Sequence, residues 1–230
     1  MLPSDPVRRP DDQRPSAAEQ ARIDDAALAG AKDQLRRAVR TRRDSRTEQR
    51  RIADDSARTA LLRDFLGDPG ALTVALYLSV SPEPDTTELI AWLHTTGARV
   101  LLPVLGRHPD GTPRRRPDWA EYAGPEQLRL GYRDIPEPTT PALGEVALLR
   151  ADVIIAPALA ATTTGDRLGT GGGWYDRALT FAVPGSVSVA LLNEDEVLAG
   201  LPVQSFDRRV DVLATPTRLI RCEPVSPPEA

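Results

Sequence analysis

Four nearly continuous apolar runs punctuate the chain: Leu72–Leu78 (LTVALYL), Arg99–Val104 (RVLLPV), Asp152–Ala156 (DVIIA) and Val187–Leu192 (VSVALL). A strand with one solvated face alternates apolar and polar residues, whereas a strand buried on both faces reads as a run. Helical signals stand between the runs. Asp85 with Glu88 three residues on predicts an N-cap, and Leu89, Ile90 and Leu93 then share one helix face. Trp174, Ala178 and Phe181 recur at helical spacing until Pro184-Gly185. From Ala17 to about Leu66 the chain is rich in Ala, Arg and Leu, with no proline and only Gly30, which predicts two helices ended by Gly67-Asp68-Pro69. Strands alternating with helices predict an α/β fold, a three-layer sandwich with a largely parallel central sheet and a helical N-terminal segment.

Weaker signals fill the rest. An edge strand is expected near Arg114–Arg116, a loop at Gly131–Pro141, and last strands at Arg209–Ala214 and Leu219–Cys222. Residues 1–16 are rich in Pro, Asp and Arg and read as a disordered tail, as do residues 223–230. Residues 17–222 are then one α/β domain. One cysteine, Cys222, excludes a disulfide framework, and His94 and His108 have no nearby thiols, so zinc is not expected. The net charge of −4 argues against a surface built for nucleic acid. No apolar stretch approaches the roughly 20 residues that span a bilayer, and no apolar segment follows the basic N-terminus. A cytoplasmic protein is the expectation.

The segment between the third run and its following helix is TGDRLGTGGGWYD. Glycines admit positive φ and let backbone N–H groups approach a ligand, and successive N–H groups form a concavity for anions. A helix N-terminus adds partial positive charge. The segment lacks the GK[ST] of a Walker A loop and is not a dinucleotide fingerprint. Glycines alone would equally suit a flexible surface loop. Arg167 on one side and Trp174-Tyr175-Asp176-Arg177 on the other add a cation, two aromatic rings and a carboxylate. The loop Arg167–Asp176 therefore reads as a cradle for the phosphates of a nucleotide.

Lys32, Arg36, Arg40 and Arg43 are spaced by four, four and three residues and share a helix face. Spacing alone favours a solvated basic stripe. Of 29 basic residues, however, only Lys32 is lysine. Lysine is a compact point charge that a guanidinium does not replace on a phosphate oxygen. Asp176 by itself could be a helix N-terminal charge, Asp207 a turn former and Glu83 a solvated loop residue.

RLGTGGGWYDRAL resembles the RLGxGxGYYDxxL signature of the 5-formyltetrahydrofolate cyclo-ligases (methenyltetrahydrofolate synthetases). The likeness runs from about Ala31 to Thr217 and takes in KDQLR at Lys32–Arg36, YLSVSPEPDT with Glu83 and Asp85, LLP at Pro103, IPEP at Ile135–Pro138, VIIAPAL, and FDRRVDVLATP with Asp207 and Asp211. It implies cyclisation of 5-formyltetrahydrofolate to 5,10-methenyltetrahydrofolate, with ATP as co-substrate, Mg²⁺ as cofactor, and ADP and phosphate released. It implies that Lys32, Arg36, Arg167, Leu168, Gly169, Thr170, Gly171, Gly172, Gly173, Trp174 and Tyr175 meet ATP, with Lys32, Arg167 and Tyr175 closest to the chemistry. It further implies that Leu78, Glu83 and Trp174 contact the folate and that Asp176 and Asp207 hold the metal. The partners are then ATP and a reduced folate, with no nucleic acid, membrane or obligate protein partner. Trp174 stands where the family has tyrosine, and Ala158 and Thr162 where it has Gly and Asp. A non-catalytic folate or nucleotide binder of the same fold is the alternative, and an RNA-binding role for the Arg-rich helices is opposed by the acidic total charge.

Overall fold

The computed structural model describes residues 15–223, so the two predicted tails lie almost wholly outside the described residues. Helices α1 (Ala17–Asp44) and α2 (Glu48–Leu66) come first, followed by β1 (Thr73–Leu76), α3 (Thr87–Thr95), β2 (Arg99–Pro103) and β3 (Trp119–Glu121). Then come β4 (Leu128–Leu130), β5 (Pro136–Pro138), β6 (Val153–Pro157), β7 (Ala160–Thr162), β8 (Arg167–Leu168) and α4 (Trp174–Ala178). The chain closes with β9 (Val187–Leu191), β10 (Val197–Leu198), β11 (Val212–Ala214) and β12 (Leu219–Arg221). Ser16 caps α1 by accepting from the Glu19 amide, and Gly67 ends α2 at φ 63°.

Seven strands form the main sheet in the order β12-β11-β9-β6-β1-β2-β3. The five inner strands are parallel, and β12 and β3 close the edges antiparallel. Each of the four apolar runs is an inner strand, with Val74, Ala75, Leu76, Ile154, Ile155 and Leu191 fully buried. The β1–α3–β2 crossover moves one way along the sheet and β6–α4–β9 moves the other. Crossovers that run in opposite directions with the right-handed sense usual for parallel strands place their helices on opposite faces of the sheet. That gives the expected three layers.

Short elements depart from the sequence expectation. The edge strand is β3, not Arg114–Arg116, because Trp119 is the side chain of that segment that the core buries completely. Gly131–Pro141 is not all loop, since β5 pairs with β4. Helix α3 begins after Thr86 rather than after Asp85, although Asp85 Oδ2 still accepts from the Thr87 amide at 3.1 Å. Glu88 pairs with Arg63 across to α2. Between β6 and the glycine loop the chain makes a hairpin, β7–β8, extended by β10 into a second sheet.

That small sheet is the platform for α1. Leu35 and Val39 pack on Leu159, Ala160 and Leu168. One full turn beyond Val39, Arg43 is 3% exposed and makes a two-pronged bond to Glu196, Nε to Oε1 at 2.7 Å and Nη2 to Oε2 at 2.8 Å. Nη2 also donates to the Ala158 carbonyl, and Glu196 accepts from Asn193 through both its backbone and side-chain nitrogens. The basic stripe of α1 thus turns inward rather than to solvent. Its carboxylate partner lies 153 residues away, which helical spacing cannot reveal.

Removing one partner of a buried, hydrogen-bonded pair leaves an uncompensated charge. Arg43→Ala should lower unfolding free energy by about 3–5 kcal/mol, and Arg43→Met with Glu196→Leu should recover most of it. Urea denaturation measures both; a loss below about 1 kcal/mol for Arg43→Ala would show the pair to be weakly coupled to the fold.

Candidate functional site

Neighbouring strands β1 and β6 send their crossovers in opposite directions, so the crevice beyond their carboxyl ends is the topological switch point, where open α/β sheets bind ligands. The turn carrying Leu78 and Glu83 follows β1, and the glycine loop follows β6 by way of the β7–β8 hairpin. A cleft of about 270 Å³ opens on the β6 side, beside Pro157, walled by α1, the glycine loop and the segment Gln204–Asp207.

Three arginines capture loop carbonyls. Arg36 Nε donates to Gly169 O at 2.9 Å, Arg40 Nη2 to Thr170 O at 3.3 Å, and Arg177 Nη1 to Gly172 O at 3.2 Å. Among the described residues the amides of Gly169, Thr170, Gly171, Gly172 and Gly173 donate to no protein acceptor. The loop thus lines the cleft with free N–H groups while the carbonyls of Gly169, Thr170 and Gly172 are engaged, a combination that suits an anion. Gly171 at φ 110° and Gly173 at φ 61° hold conformations that cost an L side chain energy. The helix behind the loop is short: α4 is five residues, continued by a 3-10 turn at Leu179–Phe181.

The cations and carboxylates of the cleft are paired with each other. Lys32 Nζ lies 2.5 Å from Asp207 Oδ2 and 3.0 Å from Gln204 Oε1, and 5.4 Å from the centre of the Phe206 ring. Arg167 Nη2 donates to Asp176 Oδ1 at 2.7 Å, and Nη1 to Pro157 O. The Arg208 amide also donates to Asp176, and the Gln204 amide to Asp207. Arg167 Nε and the Tyr175 hydroxyl are buried without a partner among the described residues. Buried donors in that state are exceptional and mark where a ligand oxygen would be welcome.

Trp174 meets Trp119 edge-on with ring centres 5.0 Å apart and lies 4.8 Å from Tyr175. Burial first, and the charge of Glu83 second, raise the Tyr175 hydroxyl well above its ordinary range, so it stays protonated as a donor. Burial likewise raises Glu83, whose Oε2 accepts from the Val80 amide at 3.1 Å. Leu78 packs against the main core.

Lys32, Arg36, Arg167–Gly173, Trp174, Tyr175, Asp176 and Asp207 all line the one cleft. Leu78 and Glu83 do not; they stand on the β1 side of the crevice, where Glu83 is felt by Tyr175. Sequence reading missed Gln204 and Trp119, and took in Phe206 only as the first residue of FDRRVDVLATP, with no role attached. No spacing rule links Gln204 or Phe206 to Lys32, and Trp119 stood inside a Pro/Arg-rich stretch. Asp211, a further match to the signature, is structural: Oδ2 accepts from the Ser188 amide and hydroxyl. Ala158 offers its carbonyl to Arg43, and Thr162 bonds to Thr164 and Asp166 in a local turn.

Among the described residues no group of three or more His, Cys, Asp or Glu could hold a metal, and no helix is long and apolar enough to cross a membrane. Of the three carboxylates lining the cleft, Asp33 pairs with Arg36 on its own helix, and Asp176 and Asp207 suit Mg²⁺, which takes one or two carboxylates and keeps its other ligands from substrate and solvent.

Residues 29–216 match the 5-formyltetrahydrofolate cyclo-ligase family. The chain is similar to the 5-formyltetrahydrofolate cyclo-ligase of Mycolicibacterium smegmatis, 35% identical over 82% of this chain and 95% of that one. It is 34% identical to the Escherichia coli K12 protein of that name over 65% of this chain and 80% of that one. Among solved structures, it resembles Aquifex aeolicus 5,10-methenyltetrahydrofolate synthetase with a TM-score of 0.70 and 26% identity, covering 86% of this chain and 96% of that one.

Because burial raises Glu83, the folded state holds its proton more tightly than the unfolded chain does. Stability from this group is fully present below the ordinary carboxylate range and is lost as pH rises through the raised value. As pH rises through and above the ordinary glutamate range, about pH 4, the stability of the wild type should therefore fall relative to Glu83→Gln. Thermal melts across that range test this, and a gap that does not move with pH would contradict it.

Proposed function

The chain belongs to the 5-formyltetrahydrofolate cyclo-ligase family, a family of enzymes, and we propose that it couples cyclisation of 5-formyltetrahydrofolate to hydrolysis of Mg-ATP. The observation that carries the nucleotide half is the glycine loop, with three of its carbonyls engaged by arginines, its amides free of protein acceptors among the described residues, and Lys32 lining the same cleft.

In this reading the γ-phosphoryl group passes to the formyl oxygen, ADP leaves, N10 attacks the activated carbon, and phosphate departs as the ring closes. A formamide oxygen is a poor leaving group, and its phosphorylation corrects that. The protein's task is positioning and neutralising charge. Lys32 and Arg36 on α1 and the loop amides Gly169–Gly173 hold the phosphates. Arg167 adds a buried cation with an unpaired Nε, and Tyr175 donates its hydroxyl to a developing charge. Asp176 and Asp207 would hold Mg²⁺, which supplies further neutralisation of the phosphates. Trp174, backed by Trp119, gives a flat apolar face for a ring, and Leu78 and Glu83 receive the pterin, whose amino edge offers N–H donors to a carboxylate. Leu168 sits buried beneath the loop. The substrates are small molecules, and a cytoplasmic location fits their chemistry.

Incubation with 5-formyltetrahydrofolate, ATP and Mg²⁺ should produce the near-ultraviolet absorbance band of the methenyl product. A folded protein that yields no band would contradict the reading. Lys32→Arg keeps the charge but not the point geometry, and should lower kcat/KM for ATP by about tenfold or more, the scale of one charge-assisted hydrogen bond. Unchanged ATP kinetics would remove Lys32 from the site.

A further inference from the structure

Resting on that nucleotide and metal reading, we propose that the ion pairs Lys32–Asp207 and Arg167–Asp176 form a lock that nucleotide and divalent cation open only together. Both carboxylates suited to a metal are bonded to the two most deeply buried cations of the cleft. The Lys32–Asp207 side chains are 7% and 17% exposed, and those of Arg167–Asp176 are 2% and 18% exposed. At such burial, water compensates a charge that loses its partner only weakly.

A triphosphate arriving alone draws Lys32 and Arg167 to its oxygens and leaves two carboxylates unpaired beside a polyanion. A cation arriving alone takes Asp207 and Asp176 and leaves Lys32 and Arg167 unpaired. Arriving together, they re-pair every charge: the cations meet phosphate, and the carboxylates meet metal. Gln204 makes the exchange possible without releasing Lys32, because its Oε1 holds Nζ at 3.0 Å independently of Asp207. Its backbone amide meanwhile keeps hold of Asp207 Oδ2 at 2.7 Å. The coupling is reciprocal, so nucleotide strengthens metal binding by the same factor by which metal strengthens nucleotide binding.

Binding of ATP is measured by calorimetry in excess EDTA and in excess Mg²⁺ for the wild type, Asp207→Asn, Lys32→Met and the double variant, with melts to verify folding. Asp207→Asn removes the carboxylate that competes for Lys32. It should bind metal-free ATP about tenfold more tightly than the wild type and lose most of the Mg²⁺ enhancement, a change in the usual range for coupled sites. In the Lys32→Met background the gain should vanish, because the partner is gone. A gain that persists there reflects general charge repulsion and overturns the lock, as does no gain at all. Should Asp207→Asn not fold, Asp176→Asn poses the same question through Arg167 and is judged by the same outcomes. Folded wild type that binds no ATP even with Mg²⁺ contradicts the nucleotide reading, and the lock falls with it.

Discussion

The buried pair of Arg43 and Glu196 is the constraint on which the cleft depends. Helix α1 lies against the small second sheet through few apolar side chains, chiefly Leu35 and Val39. Such contact is non-directional and would tolerate rotation or sliding. A two-pronged guanidinium–carboxylate bond fixes direction as well as distance. Lys32 lies three helical turns, about 16 Å, from Arg43 on the same face, so one orientation of the helix sets both. Arg58 on α2 reinforces the same neighbourhood by donating to the Leu192 carbonyl and the Asn193 side chain.

From that fixed helix the site assembles in two halves. The sheet supplies the crevice, since β1 and β6 part company at the switch point and leave their following loops on either side. Helix α1 supplies what the sheet cannot, a row of cations facing the glycine loop. Arg36 and Arg40 occupy the carbonyls of Gly169 and Thr170, so that the charge the loop offers an anion depends on the helix. The cleft proposed for the nucleotide is consequently a composite of segments more than 130 residues apart. The β1 half, with Leu78 and Glu83, lies near Tyr175, whose hydroxyl is raised first by burial and second by the charge of Glu83.

The inner strands were legible because burial on both faces writes a continuous apolar run, and each of the four runs became a strand of the parallel sheet. The helices at the N-terminus were legible from composition and from Gly67. The edge and hairpin strands β3, β4, β5, β7 and β8 were not, because two or three residues are too few to display a period. Glycine spacing and its flanking residues singled out the loop as a phosphate cradle, and the loop lines the cleft. The fate of the basic stripe was hidden, since Glu196 and Asp207 are remote in sequence and a stripe that docks looks like one that is solvated. Gln204 carried no signal, and Phe206 stood only as the first residue of FDRRVDVLATP with no role attached, for their part is defined by where Lys32 comes to rest.

A chain with a single lysine permits a direct test of the central claim, that Lys32 faces a bound nucleotide. An amine-acylating reagent applied under limiting conditions, followed by peptide mass spectrometry, reports the accessibility of Lys32 apart from the N-terminal amine. The account predicts that saturating Mg-ATP protects Lys32 from acylation while leaving the N-terminal amine as reactive as before. Equal labelling of Lys32 with and without Mg-ATP would contradict it.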